Sequence, residues 1–225
     1  MLNIFIGYDS TQKLSFDVCK YSLKKHCSTE IKIFPLMKTF LKNSDLYYRK
    51  DDINTSTEFA FSRFLVPYLC NYQGWALFCD SDFLWTSDVN ELFQNLEKNI
   101  AVKCVKHEYQ PKKDTKMEGK KQTVYPRKNW SSMMIFNCEH PSCKNLTVSN
   151  VNTKSGAWLH RFEWCLDKEI ESVEPDYNCL VGYYNIKKPK AIHFTDGGPW
   201  HKGYEKVEFS DLWKQYFKEY IENNI

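Results

Sequence analysis

The sequence predicts an α/β fold with a largely parallel central sheet. Short apolar runs recur along the 225-residue chain and alternate with segments of helical periodicity. No internal repeat and no linker rich in Pro, Gly or Ser breaks this alternation. Strands that alternate with helices are typical of parallel sheets. Because ligands of open α/β sheets bind outside the carboxyl ends of the strands, we expect functional residues to follow the strands.

Strands and two helices are predicted from periodicity. After a candidate cap at Ser15, the residues Phe16, Cys19 and Leu23 recur at helical spacing. Near the end of the sequence, Ser210 begins a helix whose apolar residues fall on one stripe. The predicted strands are Asn3–Gly7, Ile31–Leu36, Ala76–Cys79, Ile100–Val105, Met133–Phe136 and Ala191–Phe194.

Two further helices are predicted from capping signals. Thr55 and Glu58 have the spacing of a capping box before a helix through about Leu69. Pro67 should disturb the last turn of that helix. The pair Asp88-x-x-Glu91 similarly opens a short helix.

Composition excludes several function classes. The net charge of +3 comes from 31 basic and 28 acidic residues, which argues against a nucleic-acid-binding protein. The nine cysteines contain no Cys-x-x-Cys pair and predict neither a disulfide framework nor a metal site. The first residues lack the pattern of a signal peptide, and no apolar segment approaches 20 residues. We therefore expect a cytoplasmic protein without a signal peptide or a membrane span.

Two carboxylates follow the predicted strand Ala76–Cys79. Asp80 and Asp82, separated by Ser81, could be turn residues, phosphohydrolase catalysts or ligands of a cation. Phosphohydrolases of the haloacid-dehalogenase type normally have Thr or Val where Leu84 stands, and they need a later acidic pair that is missing here. Mg²⁺ and Mn²⁺ prefer oxygen ligands, and an unpaired carboxylate beside apolar segments would be costly. The pattern favours metal binding.

A later segment, KAIHFTDGGPWHKGY, offers a third ligand. His193 lies in an apolar run, where a histidine is more often part of the core, but an imidazole can complete a carboxylate-rich Mn²⁺ site. Gly197 and Gly198, just before Trp200, would let the backbone approach a ligand closely. Lys202 could neutralise a phosphate or remain solvated.

Polar residues at three other strand ends are candidate ligand contacts. After Gly7, Tyr8 could stack on a base and Asp9 could accept from a base or ribose, although Gly and Asp also suit a turn. The segment Asn129–Ser132 leads into a strand and could bind sugar hydroxyls. Asp176 and Asn178 lie in a turn bounded by proline, with their roles left open.

Two segments could contribute to an acceptor site. The lysine-rich segment Gln110–Gln122 is predicted to be a solvated loop or part of an acceptor or phosphate site. The segment Ser155–Trp164 could contact an acceptor or form an ordinary core helix.

Six segments, in order, resemble the nucleotide-sugar-dependent glycosyltransferases of the GT-A fold. The resemblance covers Asn3 to about Tyr204 and is closest to family 8-like enzymes and to the compact glycosyltransferases of large DNA viruses and marine microbes. The segments are IFIGYDS, STEFAFSRFLVPYL, WALFCDSDFLWTSDVNELF, NWSSMMIFN, PDYNCLVG and HFTDGGPW.

This resemblance implies one GT-A domain over residues 1–225, a Rossmann-like nucleotide-diphospho-sugar transferase fold with a mixed, mostly parallel central sheet. It implies Mn²⁺- or Mg²⁺-dependent transfer of a sugar from a nucleoside-diphosphate sugar, expected to be a UDP-sugar, to a glycan or other hydroxyl acceptor. One departure is that Gly198 stands where many family 8 enzymes have a phosphate-binding lysine, for which Lys202 is the candidate substitute.

The resemblance also assigns roles to the candidate residues. Asp176 would be the general base if the enzyme inverts the anomeric configuration, and a retaining enzyme would need none. The metal ligands would be Asp80, Asp82 and His193. The nucleotide-binding residues would be Gly7, Tyr8, Asp9, Arg63 and Ser81. The donor sugar and phosphates would contact Asn129, Ser131, Asn178, Gly197, Gly198, Trp200 and Lys202.

Two alternative functions remain open from the sequence. A nucleotidyltransferase that makes nucleotide-sugars could share the fold, but GYDSTQK differs from the Gly-rich basic loop that such enzymes carry near the N-terminus. A non-catalytic carbohydrate-binding domain could use the tryptophans, but it would leave Asp80, Asp82 and His193 without a role.

Overall fold

A computed structural model describes residues 1–50, 55, 57–108, 110, 117–119 and 125–223. Most of the predicted lysine-rich loop Gln110–Gln122 lies outside these residues. Within the described ranges, no helix combines the length and the apolar character needed to cross a bilayer.

The described residues form nine strands and six α-helices, with short 3₁₀ helices between them. In chain order the strands are β1 (Leu2–Tyr8), β2 (Ile31–Met37), β3 (Trp75–Cys79), β4 (Phe83–Trp85), β5 (Val102–Cys104), β6 (Met133–Asn137), β7 (Ile170–Ser172), β8 (Cys179–Leu180) and β9 (Ala191–His193). The α-helices are α1 (Lys13–His26), α2 (Lys38–Asn43), α3 (Val66–Leu69), α4 (Val148–Thr153), α5 (Gly156–His160) and α6 (Ser210–Asn223). Short 3₁₀ helices include Ser10–Gln12, Ser62–Leu65, Val89–Phe93, Trp130–Ser132 and Pro175–Asn178.

The central sheet is mixed and mostly parallel, as predicted. Six of the described strands form it in the order β2-β1-β3-β6-β5-β7. Strand β1 is parallel to β2 and β3, and β5 is parallel to β7, whereas β6 is antiparallel to both of its neighbours. A second sheet contains β4, β9 and β8 in that order.

This topology gathers the predicted site residues at one edge. Because β6 is antiparallel to both β3 and β5, the carboxyl ends of β1, β3, β5 and β7 point the same way and meet the amino end of β6. We call this side of the sheet the carboxyl edge. It is where ligands bind in open α/β sheets.

Both faces of the central sheet are covered. In β3, Ala76 and Phe78 pack into one apolar cluster, and Leu77 and Cys79 pack into another. A strand buried on both faces needs apolar residues at every position, which explains the continuous apolar run that predicted it. A third cluster joins Trp213 of α6 to β4 and β9.

Three strands were not predicted from the sequence. Strands β4, β7 and β8 are only two or three residues long. Their extended form depends on partners distant in the chain, so the local sequence does not mark them.

The helix predictions were partly wrong. Helix α1 begins at Lys13, after a 3₁₀ turn capped by Asp9, so Ser15 lies inside the helix and its hydroxyl donates to the Gln12 carbonyl at 2.8 Å. Instead of a helix from Thr55, the chain forms the 3₁₀ turn Ser62–Leu65 and then α3. Pro67 lies at the beginning of α3, where its missing N–H costs no helical hydrogen bond. The helices predicted to begin near Asp88 and at Ser210 are confirmed.

Candidate metal and ligand site

The structure brings the three predicted metal ligands together. Ligand atoms of Asp80, Asp82 and His193 all lie within 4.8 Å of one another. Asp80 follows β3 directly, and its N–H continues the pairing with β6 by donating to the Ser132 carbonyl at 2.9 Å. Strand β4 pairs with β9 so that Phe83 opposes His193, and the Phe194 N–H donates to the Asp82 carbonyl at 3.0 Å.

A hydrogen-bond chain sets the tautomer of His193. The Ser132 hydroxyl donates to the Asn129 carbonyl at 2.7 Å, so the Ser132 oxygen accepts from the Asn178 amide nitrogen at 2.9 Å. The Asn178 oxygen therefore faces Nδ1 of His193, 2.9 Å away, and accepts its proton. This leaves Nε2 with a lone pair. Such support of the second ring nitrogen is typical of metal-binding histidines.

The second ring nitrogen of His193 faces a carboxylate. Nε2 of His193 lies 3.3 Å from Oδ1 of Asp82, and both atoms are acceptors in this tautomer. The imidazole is held against the Phe83 ring, with 4.5 Å between ring centroids. With a neutral imidazole both atoms are acceptors, and a cation or a proton between them would satisfy both. Two carboxylates and an imidazole fit Mn²⁺ or Mg²⁺ by ligand type.

Arg63 holds Asp80 in place. Its Nη1 atom lies 2.8 Å from Oδ1 of Asp80 and also donates to the Ser131 carbonyl at 2.7 Å. The guanidinium group lies near the rings of Phe59 and Phe78, at 5.3 and 4.9 Å from their centroids. Arg63 is only 5% exposed. Its predicted nucleotide contact stays a prediction, but the described contacts already give it a role in positioning Asp80.

The predicted nucleotide-binding residues at the end of β1 lie beside the candidate metal ligands, because Ile6 of β1 is paired with Cys79 of β3. Tyr8 is half-buried, with its ring edge-on to Phe16. A methyl group on Gly7 would lie 2.3 Å from the Phe59 ring, so the glycine makes room for that ring.

The Asp9 carboxylate accepts hydrogen bonds from other residues of the protein. Its carboxylate accepts from the Thr11 N–H at 3.0 Å, the Thr11 hydroxyl at 2.6 Å and the Glu58 N–H at 3.2 Å. These contacts attach the segment around Glu58 to the end of β1. Contact between Asp9 and a nucleotide stays a prediction.

Two predicted ligand residues have buried polar atoms that the described residues leave unpaired. These are Nδ2 of Asn129 and Oδ1 of Asp176. Asn129 has the left-handed φ of 67°, which an asparagine tolerates, and Asp176 lies in the 3₁₀ turn after β7. Since an unpaired buried polar group is costly, both atoms are candidates for contact with a ligand. Ser81, between Asp80 and Asp82, is also buried.

The Gly-Gly-Pro-Trp segment has a packing role in the structure. A methyl group on Gly198 would lie 2.1 Å from the Trp200 ring, and Gly197 has a φ of 138° that other residues rarely adopt. Trp200 packs on Phe194 and Trp213, with centroid distances of 5.6 and 5.1 Å. These glycines therefore accommodate protein side chains. The donor contacts of this segment, and of the exposed Lys202, stay predictions.

Sequence reasoning missed two histidines near the site. Nδ1 of His107 lies 2.8 Å from the Tyr184 hydroxyl, and burial together with His193 lowers the pKa of His107 to about 3. Nδ1 of His160 lies 2.8 Å from the Ser131 hydroxyl. The position of His107, just after the predicted strand Ile100–Val105, was the signal that could have identified it.

His160 should make the protein less stable in acid. Burial, and then the positive charges of Arg63 and Arg49, lower its pKa to about 3; the ring of Tyr125 also faces it. In the unfolded chain a histidine titrates near about 6.5, so between these pKa values the unfolded state binds the extra proton. We expect the free energy of unfolding to fall as the pH drops below about 6.5, by up to about 1.4 kcal/mol per unit from this histidine.

Urea unfolding of the wild type and of His160→Gln, at pH 7.5 and pH 5, measures this effect. The difference between the two pH values should be smaller in the variant. An equal difference in both proteins would contradict the prediction.

Comparisons with known proteins agree on the fold. No family model matches the chain. Among solved structures, the bifunctional glycosyltransferase WbbM aligns with a TM-score of 0.69 and 15% identity, covering 98% of this chain and 51% of WbbM. The apo-form glycosyltransferase GlyE of Streptococcus pneumoniae aligns with a TM-score of 0.65 and 14% identity, and the alignment covers 99% of this chain and 62% of GlyE. The galactosyltransferase LgtC, in complex with donor and acceptor sugar analogs, aligns with a TM-score of 0.64 and 9% identity. The alignment covers 97% of this chain and 96% of LgtC.

These likenesses confirm the GT-A fold; the finer resemblance to family 8 and to viral or marine enzymes stays a prediction. The chain spans about half the length of WbbM and less than two thirds of GlyE. At the level of sequence, "Protein CDI" of Arabidopsis thaliana is 46% identical over 227 residues, which cover 98% of this chain and 88% of that protein. The chain therefore belongs to the same family as Protein CDI.

Proposed function

We propose that this protein is a metal-dependent glycosyltransferase that moves a sugar from a nucleoside-diphosphate sugar, a UDP-sugar, to a hydroxyl acceptor such as a glycan. The observation that carries the proposal is the meeting of Asp80, Asp82 and His193 within 4.8 Å at the carboxyl edge of a GT-A fold. Their three acceptor groups would hold Mn²⁺ or Mg²⁺. When bound, the ion would neutralise the charge that develops on the departing nucleoside diphosphate.

Neighbouring side chains prepare these ligands. Asn178 accepts the proton of Nδ1 of His193 and so turns Nε2 towards Asp82, and Arg63 fixes Asp80 through a 2.8 Å ion pair. Both supporting residues are buried, so the ligands are oriented before the substrate arrives. Orientation in advance removes the cost of arranging these groups during the reaction.

We place the nucleotide at the end of β1 and the donor sugar near the amino end of β6. Gly7, Tyr8 and Asp9 would contact the nucleoside, with Arg63 and Ser81 towards the diphosphate. The support for this placement is the pairing of β1 with β3, which ends at Asp80.

The donor sugar would meet groups from three segments. The unpaired Nδ2 of Asn129 would donate to a sugar hydroxyl, beside Ser131 and Asn178. The remaining donor and phosphate contacts would come from Gly197, Gly198, Trp200 and Lys202.

Asp176 would remove the acceptor proton if transfer inverts the anomeric configuration. The transition state of such a transfer resembles an oxocarbenium ion, as in glycosidases. Oδ1 of Asp176 is buried and is not hydrogen-bonded by the described residues, and the backbone of the residue is held by the Lys190 N–H at 2.8 Å. In a retaining transfer, the departing phosphate would take the proton. NMR assignment of the product anomer distinguishes the two outcomes.

The test is incubation with UDP-glucose and UDP-galactose, with Mn²⁺ or with EDTA. We expect release of UDP and free sugar that depends on Mn²⁺, because water accepts the sugar slowly when no acceptor is present. Release of pyrophosphate on supplying a sugar phosphate and UTP would instead identify a nucleotidyltransferase. Sugar binding without turnover of either donor would identify a carbohydrate-binding domain.

Donor binding can be measured separately from turnover. A ligand at about 100 times its Kd stabilises the folded state by about 2.7 kcal/mol, which a thermal-shift assay detects. The shift with UDP should require Mn²⁺. Asp211→Asn is the matched control variant, because this carboxylate is exposed on α6 and should leave both readouts unchanged.

A further inference from the structure

Beside the candidate metal site lies a second concave region that the proposed donor site does not use. It is a cavity of about 430 Å³ lined by Glu108, Gln110, Leu180, Tyr183 and Tyr184. A volume of this size lies in the range of pockets for small ligands. Both Glu108 and Gln110 are exposed, so a ligand could reach them from solvent.

Strand pairing connects this cavity to the metal ligands. Leu180 of β8 is the register partner of His193 in β9, and the Val181 N–H donates to the His193 carbonyl at 3.0 Å. Glu108 follows His107, which extends from the carboxyl end of β5 at the same edge as Asp80. A molecule in the cavity would thus lie next to the reacting groups.

The two tyrosines of the cavity are anchored through their hydroxyl groups. The Tyr183 hydroxyl donates to Oδ2 of Asp196 at 2.8 Å, and the Tyr184 hydroxyl lies 2.8 Å from Nδ1 of His107. Their rings are therefore held as fixed walls. Fixed aromatic walls favour binding because little side-chain freedom is lost when a ligand arrives.

The backbone carbonyl of His107 is also held by a hydrogen bond. The Trp130 indole N–H donates to the His107 carbonyl at 3.0 Å, and Trp130 begins the turn that carries Ser131 and Ser132. Nε2 of His107 is buried and has no hydrogen-bond partner in the described part of the chain. This neutral imidazole therefore keeps one polar atom for a further contact.

We propose that this cavity is the acceptor subsite and that it binds a sugar ring of a glycoside; the inference rests on the glycosyltransferase function proposed above. Anchored aromatic rings suit the apolar face of a sugar ring. The Glu108 carboxylate and the Gln110 amide suit its hydroxyl groups, since they offer acceptors and donors at the open side. His107 is a positioning residue that holds Tyr184.

The test separates donor hydrolysis from transfer. UDP-glucose and UDP-galactose serve as donors, and p-nitrophenyl glycosides of glucose, galactose, xylose and mannose serve as acceptors, with products identified by mass spectrometry. We expect transfer to at least one glycoside. Tyr184→Ala and Glu108→Ala should each raise the KM for that glycoside at least about tenfold and leave the KM for the donor and the rate of donor hydrolysis unchanged.

Control variants are Tyr48→Ala and Glu97→Ala, which remove an exposed tyrosine and an exposed glutamate elsewhere.

Two further variants test the anchoring of Tyr184. His107→Gln and Tyr184→Phe should each raise the glycoside KM, because both remove the hydrogen bond that holds the Tyr184 ring. Glu108→Ala keeps the test valid if Tyr184→Ala fails to fold, since Glu108 is exposed.

Two results would overturn the subsite and leave the proposed function standing. One is donor hydrolysis with unchanged glycoside KM in Tyr184→Ala and Glu108→Ala. The other is donor hydrolysis by the wild type without transfer to any of the four glycosides. Absence of any donor turnover by the wild type would instead overturn the proposed function, and the subsite with it.

Discussion

Replacing Asp82 with Asn is expected to abolish Mn²⁺-dependent release of UDP while the protein stays folded. The substitution removes one of two carboxylates in the candidate metal site and keeps the side-chain volume. Loss of a residue that only supports a ligand typically lowers metal affinity by about 10- to 100-fold, so loss of a ligand itself should cost at least as much. Calorimetric titration with Mn²⁺ measures this loss directly, without reference to activity.

Stability in EDTA provides an independent readout of the same variant. Oδ1 of Asp82 lies 3.3 Å from Nε2 of His193, and an amide at position 82 would donate a hydrogen bond to that nitrogen in the neutral imidazole. Asp82→Asn should therefore be at least as stable as the wild type in EDTA, and only the wild type should gain thermal stability on addition of Mn²⁺. A fully active Asp82→Asn enzyme would show that the metal assignment is wrong, and Asp211→Asn should behave as the wild type throughout.

Replacing Arg63 with Met should cost about 3–5 kcal/mol in the free energy of unfolding, which is the usual effect of removing one partner of a buried ion pair. The change leaves the Asp80 carboxylate and the Ser131 carbonyl without the guanidinium group, in a region where the Arg63 and Asp80 side chains are 6% and 15% exposed. Urea unfolding in EDTA measures the loss.

Two further proteins make this second prediction specific. Asp80→Asn combined with Arg63→Met should recover much of the stability, because the uncompensated charge is gone. Lys214→Met is the control, since it breaks an exposed pair with Asp211 that should be worth less than about 1 kcal/mol. If Arg63→Met and the double variant lose equal free energy of unfolding, the loss comes from packing on Phe59 and Phe78 and not from the charge of the Asp80 carboxylate.

Features carried by a continuous run of residues could be predicted from the sequence. Strands β1, β3 and β6 are apolar at nearly every position, because both faces of the sheet are covered there. The sudden appearance of Asp80 and Asp82 after such a run marks the edge of the sheet. For the same reason His193, at the end of a shorter apolar run, could be proposed as a third ligand.

Features that depend on contacts between distant segments could not be predicted. The ion pair of Arg63 with Asp80 and the hydrogen bond of Asn178 with His193 join residues that no local period relates. The packing of Trp200 and Tyr204 beside Gly198 and Gly197 could not be predicted for a similar reason, since only the folded chain brings these rings to the glycines. The cavity beside Tyr184 likewise depends on the pairing of β8 with β9.

The pairing of β4 with β9 has a consequence for biosynthesis. Asp80 and Asp82 leave the ribosome long before His193, which lies in β9. Strand β9 in turn packs in an apolar cluster with Trp213 and Tyr216 of α6. Chains are made from the N-terminus, and the early part of a domain must wait for partners made later. It follows that the three side chains can come together only late in synthesis, after β9 has been made and has paired with β4.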